Sequence, residues 1–229
     1  KAAADAGMIA LVFGNSDGFV RLFDGAEPFH GTNPISVAVP SGQGNPWLLD
    51  MATSSVPFNR VELHQSLQRD LPRGVASDSD GGDTTDPFCA EMLAPLGGSD
   101  FGFKGAALGG VAEIFSAVLT GMRLSPDIAP MAGPDFLRAR EMGAFVIVMD
   151  PVAFVAAPLV EAGMTRYLAL LRGSKPRAGQ YVMAAGDREW ARAAQRQVKG
   201  IPLDPITVTN FSQLADDYKV KLPWHAGPS

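Results

Sequence analysis

Leu108, Val111, Ile114, Phe115, Val118, Leu119 and Met122 fall at three- and four-residue steps, which in a helix of 3.6 residues per turn places them on one side. An amphipathic helix running on from Lys104 is therefore the firmest element in the chain. The apolar runs before it are shorter and read as strands: residues 8–13, residues 35–39 stopping at Pro40, and residues 46–51 after a glycine-rich turn, the last two being candidates to pair. A β-branched and aromatic run at 143–149 ends in Asp150-Pro151. Beyond it come a helix over 158–171, a second from an Asp187 N-cap to Gly200, and a short third introduced by Asn210 with Gln213 at capping-box spacing. Strands early and helices late predict an α+β architecture, not strict βαβ alternation. The division expected is an α+β domain over residues 1–150 and a mainly helical segment over 151–229. Residues 70–103, rich in Asp, Gly, Ser, Thr and Pro, read as one long irregular connection.

Composition narrows the function classes. With 229 residues, 46% apolar and 19% charged, the chain has material for a packed core. A net charge of −5 with no Lys/Arg run argues against nucleic acid as a partner. No uninterrupted apolar stretch reaches the roughly 18–20 residues of a membrane span. A single cysteine, Cys89, excludes an internal disulfide and a cysteine zinc cage and fits a cytoplasmic setting. His30, His64 and His225 lack ligand spacing, so no metal is expected.

Several sites fail on inspection. Gly42-Gln-Gly44 has the first two glycines of a dinucleotide fingerprint, but Trp47 stands at the third, where helix packing excludes a side chain. Lys104 follows Gly102 one residue too late for a phosphate loop, and no Ser or Thr comes next. In the acidic run from Asp78 to Asp83, glycine at the fifth position and cysteine at the twelfth defeat a calcium loop. One near miss keeps physical content: Pro95-Leu-Gly-Gly98 and Phe103-Lys-Gly105 lie ahead of the strong helix, where free amides, the positive dipole end and an ammonium would converge on an anion. The alternative there is a pair of turns and a solvated lysine.

Gly31-Thr-Asn-Pro34, Asp50-Met-Ala-Thr-Ser54, Leu71-Pro72, Asp78, Thr84-Thr-Asp-Pro87, Pro95-Leu-Gly-Gly98, Phe103-Lys-Gly105 and Gly200-Ile-Pro-Leu203 occur in a telling order. Each is weak alone. Their order over nearly the whole chain resembles the malate/L-lactate dehydrogenase family that is distinct from the Rossmann lactate dehydrogenases, and that includes ureidoglycolate dehydrogenase, diketogulonate reductase, sulfolactate dehydrogenase and the piperideine- and pyrroline-carboxylate reductases.

The resemblance implies a homodimeric, NAD- or NADP-dependent oxidoreductase with a non-Rossmann, largely antiparallel cofactor-binding domain over residues 1–150. Hydride would pass between the cofactor and a C=O or C=N group beside a carboxylate, in a small 2-oxo or 2-hydroxy acid. By position in the family pattern, Ser16 would contact the cofactor, Asp50, Met51 and Ala52 would line its nicotinamide nucleotide, and Phe103, Lys104 and Gly105 match an aromatic-Lys-Gly cofactor motif. Gly186, Asp187 and Arg188 fall on a Pro-Gly-Glu-like turn in which Ala185 replaces the proline, and Arg188 is a candidate partner for a 2′-phosphate. Asp78 is the candidate catalytic carboxylate, a turn carboxylate being the other reading; Thr53 and Ser54 read as local caps without the resemblance. His30 stands where the family has an apolar residue and is taken as a site-wall or packing residue. Reduction of a carbonyl also needs a proton donor, commonly histidine, and a cation for the carboxylate. In the family both lie in an N-terminal helical region, within a Ser-His-Gly motif followed by arginine. That region is expected to precede Lys1, where the chain opens on what reads as the end of a helix, and residues 151–229 would pack with it. A non-catalytic nucleotide-binding or dimerisation module is the remaining class.

Overall fold

The computed structural model describes residues 1–42, 44–131, 133–222 and 224. After a helical turn, α1 (Ala2–Asp5), the first strand β1 (Ile9–Gly14) becomes the inner strand of an antiparallel sheet. It pairs with β4 (Ile35–Val39) on one side and β9 (Ala144–Met149) on the other, and β5 (Trp47–Met51) extends β4, giving the order β5-β4-β1-β9. Leu11 stands opposite Val37 and Ile147, and Phe13 opposite Ile35 and Phe145, so the period of two collects apolar side chains on one face. Phe115 covers part of that face, stacking on Phe13 at 4.7 Å between ring centroids and meeting Phe145 edge-on at 5.4 Å.

A second sheet runs β3 (Pro28–His30), β2 (Val20–Arg21), β8 (Met92–Leu93), β6 (Ala76–Ser77) and β7 (Asp83–Thr84). Only β2 and β8 are parallel. Helix α2 (Phe58–Ser66) brings Val61 into a cluster with Val20, Leu71, Ala76 and Leu93. The α+β, largely antiparallel architecture is as expected. The stretch at 70–103, by contrast, is not one irregular connection: it holds β6, β7, β8 and the first turn of the long helix. Two-residue strands are too short to show a period, and they form here because neighbouring backbone supplies their hydrogen bonds.

The long helix α3 (Gly98–Glu113) begins at Gly98, ahead of Lys104, and continues as a π-helical segment, Ile114–Val118. Its inward face is small: Gly102, Gly105, Gly109, Ala112 and Ser116 are buried, while Leu108, Val111, Ile114, Val118 and Leu119 are exposed. A Cβ on Gly105 would stand 2.3 Å from the Leu96 nitrogen, so only glycine lets the helix lie this close to the preceding segment. By length and composition alone, Gly98–Val118 could cross a membrane, yet its glycine face is packed against Pro95, Leu96 and His30, as a core helix would be.

The C-terminal part holds α4 (Ala157–Arg172), α5 (Asp187–Lys199) and α6 (Pro205–Tyr218). The N-cap of α5 is Gly186, and Asp187 is its first helical residue. Gly200, with φ +78°, closes α5 as expected of a glycine there. The last helix starts upstream of Asn210: Asp204 caps it, accepting from the amides of Ile206 and Thr207 at 3.1 Å each. Gln213 instead donates to Asp217 at 2.8 Å.

Candidate functional site

The edge strand β5 and its exit at Thr53 bring together three of the sequence-predicted segments: the Gly186 turn, Asp50–Ala52 and the Leu96 approach to α3. At its start, the Leu48 amide donates to Ala185 O at 3.2 Å and lays the 184–186 turn along the strand. Gly186 has φ +93°, and a Cβ there would come within 2.8 Å of Trp190 Nε1 and 3.3 Å of Leu48 O. At the other end Asp50 is exposed and Met51 and Ala52 are half-buried. The chain then turns inward at Thr53. Its amide donates to Thr32 O at 2.8 Å, its hydroxyl to Thr32 O and Asn33 O at 3.1 and 3.2 Å, and its carbonyl accepts the Leu96 amide at 2.8 Å. Thr53 is therefore a tie between three loops, not a local cap. Ser54 does bond locally, to Val56 O at 2.7 Å.

Beyond Leu96 the backbone enters α3 through Gly97, φ +103°, and Gly98, φ +61°. This helix end opens on a recess of about 400 Å³ lined by Ser55, Arg73, Gly74, Asp83, Ser99 and Asp100 among others. The expected convergence of amides and ammonium is only half realised. Lys104 lies in the second turn and does not line the recess; its ammonium sits 5.3 Å from the Phe101 ring and 5.8 Å from that of Phe103, with no ion pair among the described residues. Phe103 is exposed and packs edge-on against Phe23, whereas Gly105 is buried under Leu96. Ser16 sits against Gly31, where a Cβ would be 2.2 Å from its Oγ.

At the α5 end, Asp187 takes a bidentate ion pair from Arg172, at 2.9 and 2.7 Å, and also accepts the Ala184 amide. The Arg172 guanidinium beside Asp187 holds its carboxyl below the usual carboxylate range. Both line a recess of about 340 Å³ with Ser41, Gly44, Asn45 and Trp190. Arg188 is exposed and paired with Glu189 at 2.9 Å.

Asp78 belongs to the turn between β6 and β7. Its Oδ1 accepts the amides of Asp80 and Gly82 at 3.0 and 2.8 Å, the work of a turn carboxylate. His30 is buried against Gly109 and edge-on to Phe29; burial pushes its imidazole below the ordinary value, with Glu113 opposing. His64 contacts Asp70 O, and His225 lies outside the described residues. Among the described residues no group of three His, Cys, Asp or Glu is placed to hold a metal.

Two buried charges escaped the sequence reading. Arg21 donates to Ser77 Oγ at 2.7 Å and to Asp83 at 3.3 Å, tying β2 to β6 and β7. Glu113 accepts from Asn33 Nδ2, the Ser125 amide and Ser125 Oγ, each at 2.6 Å, and from Asn15 Nδ2 at 3.4 Å. A lone acid within the apolar stretch 105–119 was the available signal for Glu113. Nothing in the neighbourhood of Arg21 in sequence marks it for burial.

Comparison with known proteins agrees with this architecture. Residues 1–212 match the model of the family described as malate/L-lactate dehydrogenase. A delta(1)-pyrroline-2-carboxylate reductase of Agrobacterium fabrum is 28% identical over 216 residues, covering 92% of this chain and 59% of that protein. A ureidoglycolate dehydrogenase (NAD(+)) of Escherichia coli is 31% identical over 203 residues, covering 88% and 56%. The crystal structure of a malate dehydrogenase from Entamoeba histolytica superposes with a TM-score of 0.86 at 26% identity, covering 97% of this chain and 64% of that one. The chain thus spans about three-fifths of the length of these relatives. With the family's sequence pattern over most of its length and the fold of its solved members, the chain belongs to the malate/L-lactate dehydrogenase family.

Proposed function

We propose that this chain is the cofactor-binding and C-terminal part of an NAD(P)H-dependent reductase acting on a small 2-oxo acid, or in reverse on the 2-hydroxy acid, and that the protein is a cytoplasmic homodimer. The observation that carries the reading is the continuity of β5. One strand edge and its exit at Thr53 link the Gly186 turn, the Asp50-Met-Ala segment and the glycine-lined start of α3, with recesses at both ends.

A dinucleotide needs an elongated, partly apolar seat with amides and a cation for its phosphates. The residues present fit that need: Asp50, Met51 and Ala52 would hold the nicotinamide nucleotide, and Ser16, set against Gly31, would also contact the cofactor. The Ser99 and Asp100 amides at the start of α3 and the Arg73 guanidinium offer donors for phosphate, and Lys104 with Phe103 supplies a cation and an apolar surface. Asp187 would keep the α5 turn in place through Arg172, leaving Arg188 as the contact for a 2′-phosphate if NADP is the cofactor. The cofactor, when bound, supplies the hydride. Asp78, with one oxygen committed to its turn, keeps the other to orient substrate or help protonate it; Asp78→Asn, which preserves the Oδ1 acceptor, isolates that role. The histidine proton donor and the arginine for the substrate carboxylate would come from sequence upstream of Lys1.

A second reading, a cyclic-imine reductase, is favoured by the similarity to the pyrroline-2-carboxylate reductase across 92% of the chain. C=O and C=N acceptors need the same hydride geometry. The test is oxidation of NADH and NADPH by the full-length protein with pyruvate, oxaloacetate, the oxo form of ureidoglycolate and piperideine-2-carboxylate. Turnover of an oxo acid supports the first reading and turnover of the imine alone the second. Cofactor binding without turnover of any of them would leave a nucleotide-binding module.

A further inference from the structure

Glu113 is a buried carboxylate, 6% exposed, with no cationic partner among the described residues. Such a group is costly unless donors surround it. Here Asn33, Asn15 and both the amide and hydroxyl of Ser125 do so, and each of them sits at a junction. Asn15 is the residue before Ser16; its Oδ1 accepts the Gly143 amide at 2.8 Å and its Nδ2 also donates to Arg123 O at 2.8 Å. Asn33 is fully buried and holds φ +36°, a conformation uncommon for a residue other than glycine. Its side chain also donates to Gly109 O at 3.1 Å, its Oδ1 stands 3.3 Å from the Ser125 Oγ that donates to Glu113, and its carbonyl receives the Thr53 hydroxyl. Thr53 in turn fixes Leu96, and Leu96 O accepts the Gly105 amide at 3.1 Å.

We infer that Glu113 is the positioning residue of the cofactor seat, its carboxylate setting the relative placement of Asn15-Ser16, Gly31–Pro34, Asp50–Ser54 and the start of α3. This inference rests on the cofactor reading above. It goes further by assigning the seat's geometry to one carboxylate that touches neither cofactor nor substrate. Removing the charge while keeping the shape turns an amide N–H2 either on Asn33 Nδ2 or on the Ser125 and Asn15 N–H groups, all of which can only donate; the Ser125 hydroxyl can turn to accept, but the facing N–H groups cannot, so the loops they hold must shift.

The test compares the full-length wild type, Glu113→Gln and Asn33→Gly. The last retains backbone freedom at positive φ but removes the amide that meets Glu113. NADH and NADPH affinities are read by cofactor fluorescence well below each variant's thermal midpoint, with folding verified by circular dichroism and hydrogen exchange read at 15–16, 31–34 and 50–54. We expect at least a tenfold weaker dissociation constant for Glu113→Gln and a several-fold one for Asn33→Gly, with faster exchange in those three segments and unchanged exchange in α5 and α6. Folded variants that bind within twofold of wild type would overturn the positioning role while leaving the cofactor reading intact. Should Glu113→Gln not fold, Asn33→Gly decides by the same criterion. A wild type that binds neither nucleotide would overturn the cofactor reading and this inference with it.

Discussion

Replacing Gly105 with alanine places a methyl group where backbone already stands. The new Cβ would lie 2.3 Å from Leu96 N, 2.4 Å from Leu96 O and 2.7 Å from Leu96 Cα, so the helix and the 95–97 segment must part by about 1 Å to reach ordinary contact. No rotamer relieves this, because all three atoms are main chain. Parting strains two hydrogen bonds as well, Leu96 N to Thr53 O at 2.8 Å and Gly105 N to Leu96 O at 3.1 Å. Overpacking of a close interface costs roughly 1–3 kcal/mol and each weakened backbone bond about 1 kcal/mol, against a gain of about 1 kcal/mol in helix propensity. The expected loss is about 2–4 kcal/mol, or several degrees to about 15 °C in thermal midpoint for a chain of this size. Gly110→Ala is the control, since nothing lies within 4 Å of its Cβ position and the substitution should stabilise by up to about 1 kcal/mol. Urea unfolding of both variants measures the contrast. A Gly105→Ala protein within about 0.5 kcal/mol of wild type would refute the close packing of α3 on Leu96.

Other consequences are open to measurement. Lys104→Ala should weaken NADH or NADPH binding by more than tenfold, about 1.4 kcal/mol, with the thermal midpoint nearly unchanged, because Lys104 is exposed and makes no ion pair among the described residues; loss of folding alone would make it structural. His30 has a lowered folded-state pKa, so the unfolded chain takes up its proton first as pH falls below about 6.5. Stability should therefore decline from pH 7 towards 5 with a slope that His30→Leu reduces; identical slopes would show that His30 does not titrate differently on folding. Asp187 has a depressed folded pKa, so its contribution is present above about 3.9 and lost as pH falls through the lower folded value. In acid titrations Arg172→Ala should remove that part of the decline, a small one because the pair is half open to solvent.

How much of this was legible in the sequence depends on length of element and origin of the signal. Strands at 35–39 and 143–149 showed themselves through alternation and β-branched content, and each appears within one residue of its expected bounds. The β2, β3 and β6–β8 strands did not, because two or three residues carry no period and their pairing is decided by distant backbone. Helix α2 is hidden for a related reason: FNRVELHQS turns only Val61 and, in part, Phe58 towards the core, too few apolar residues to mark a face in the sequence. The start of α3 was placed too late because glycine signals a turn locally, while here Gly98, Gly102 and Gly105 serve close packing across the helix. In the candidate site, Asp50, Ser16, Lys104 and Gly186 are singled out through family order alone. The tie beneath the neighbouring loops, Glu113, Asn33 and Thr53, is joined by contacts 20 and 80 residues apart that no local pattern carries.

On the reading proposed above, the β5 edge, the Thr53 turn and the start of α3 form one seat for a nicotinamide dinucleotide. Hydrogen exchange of the full-length protein, recorded with and without saturating NADH or NADPH, tests it most directly. A shared seat should slow exchange at 50–54, 97–105 and 185–188 together, in a saturable manner. Protection confined to other segments, or none with either nucleotide, would contradict it.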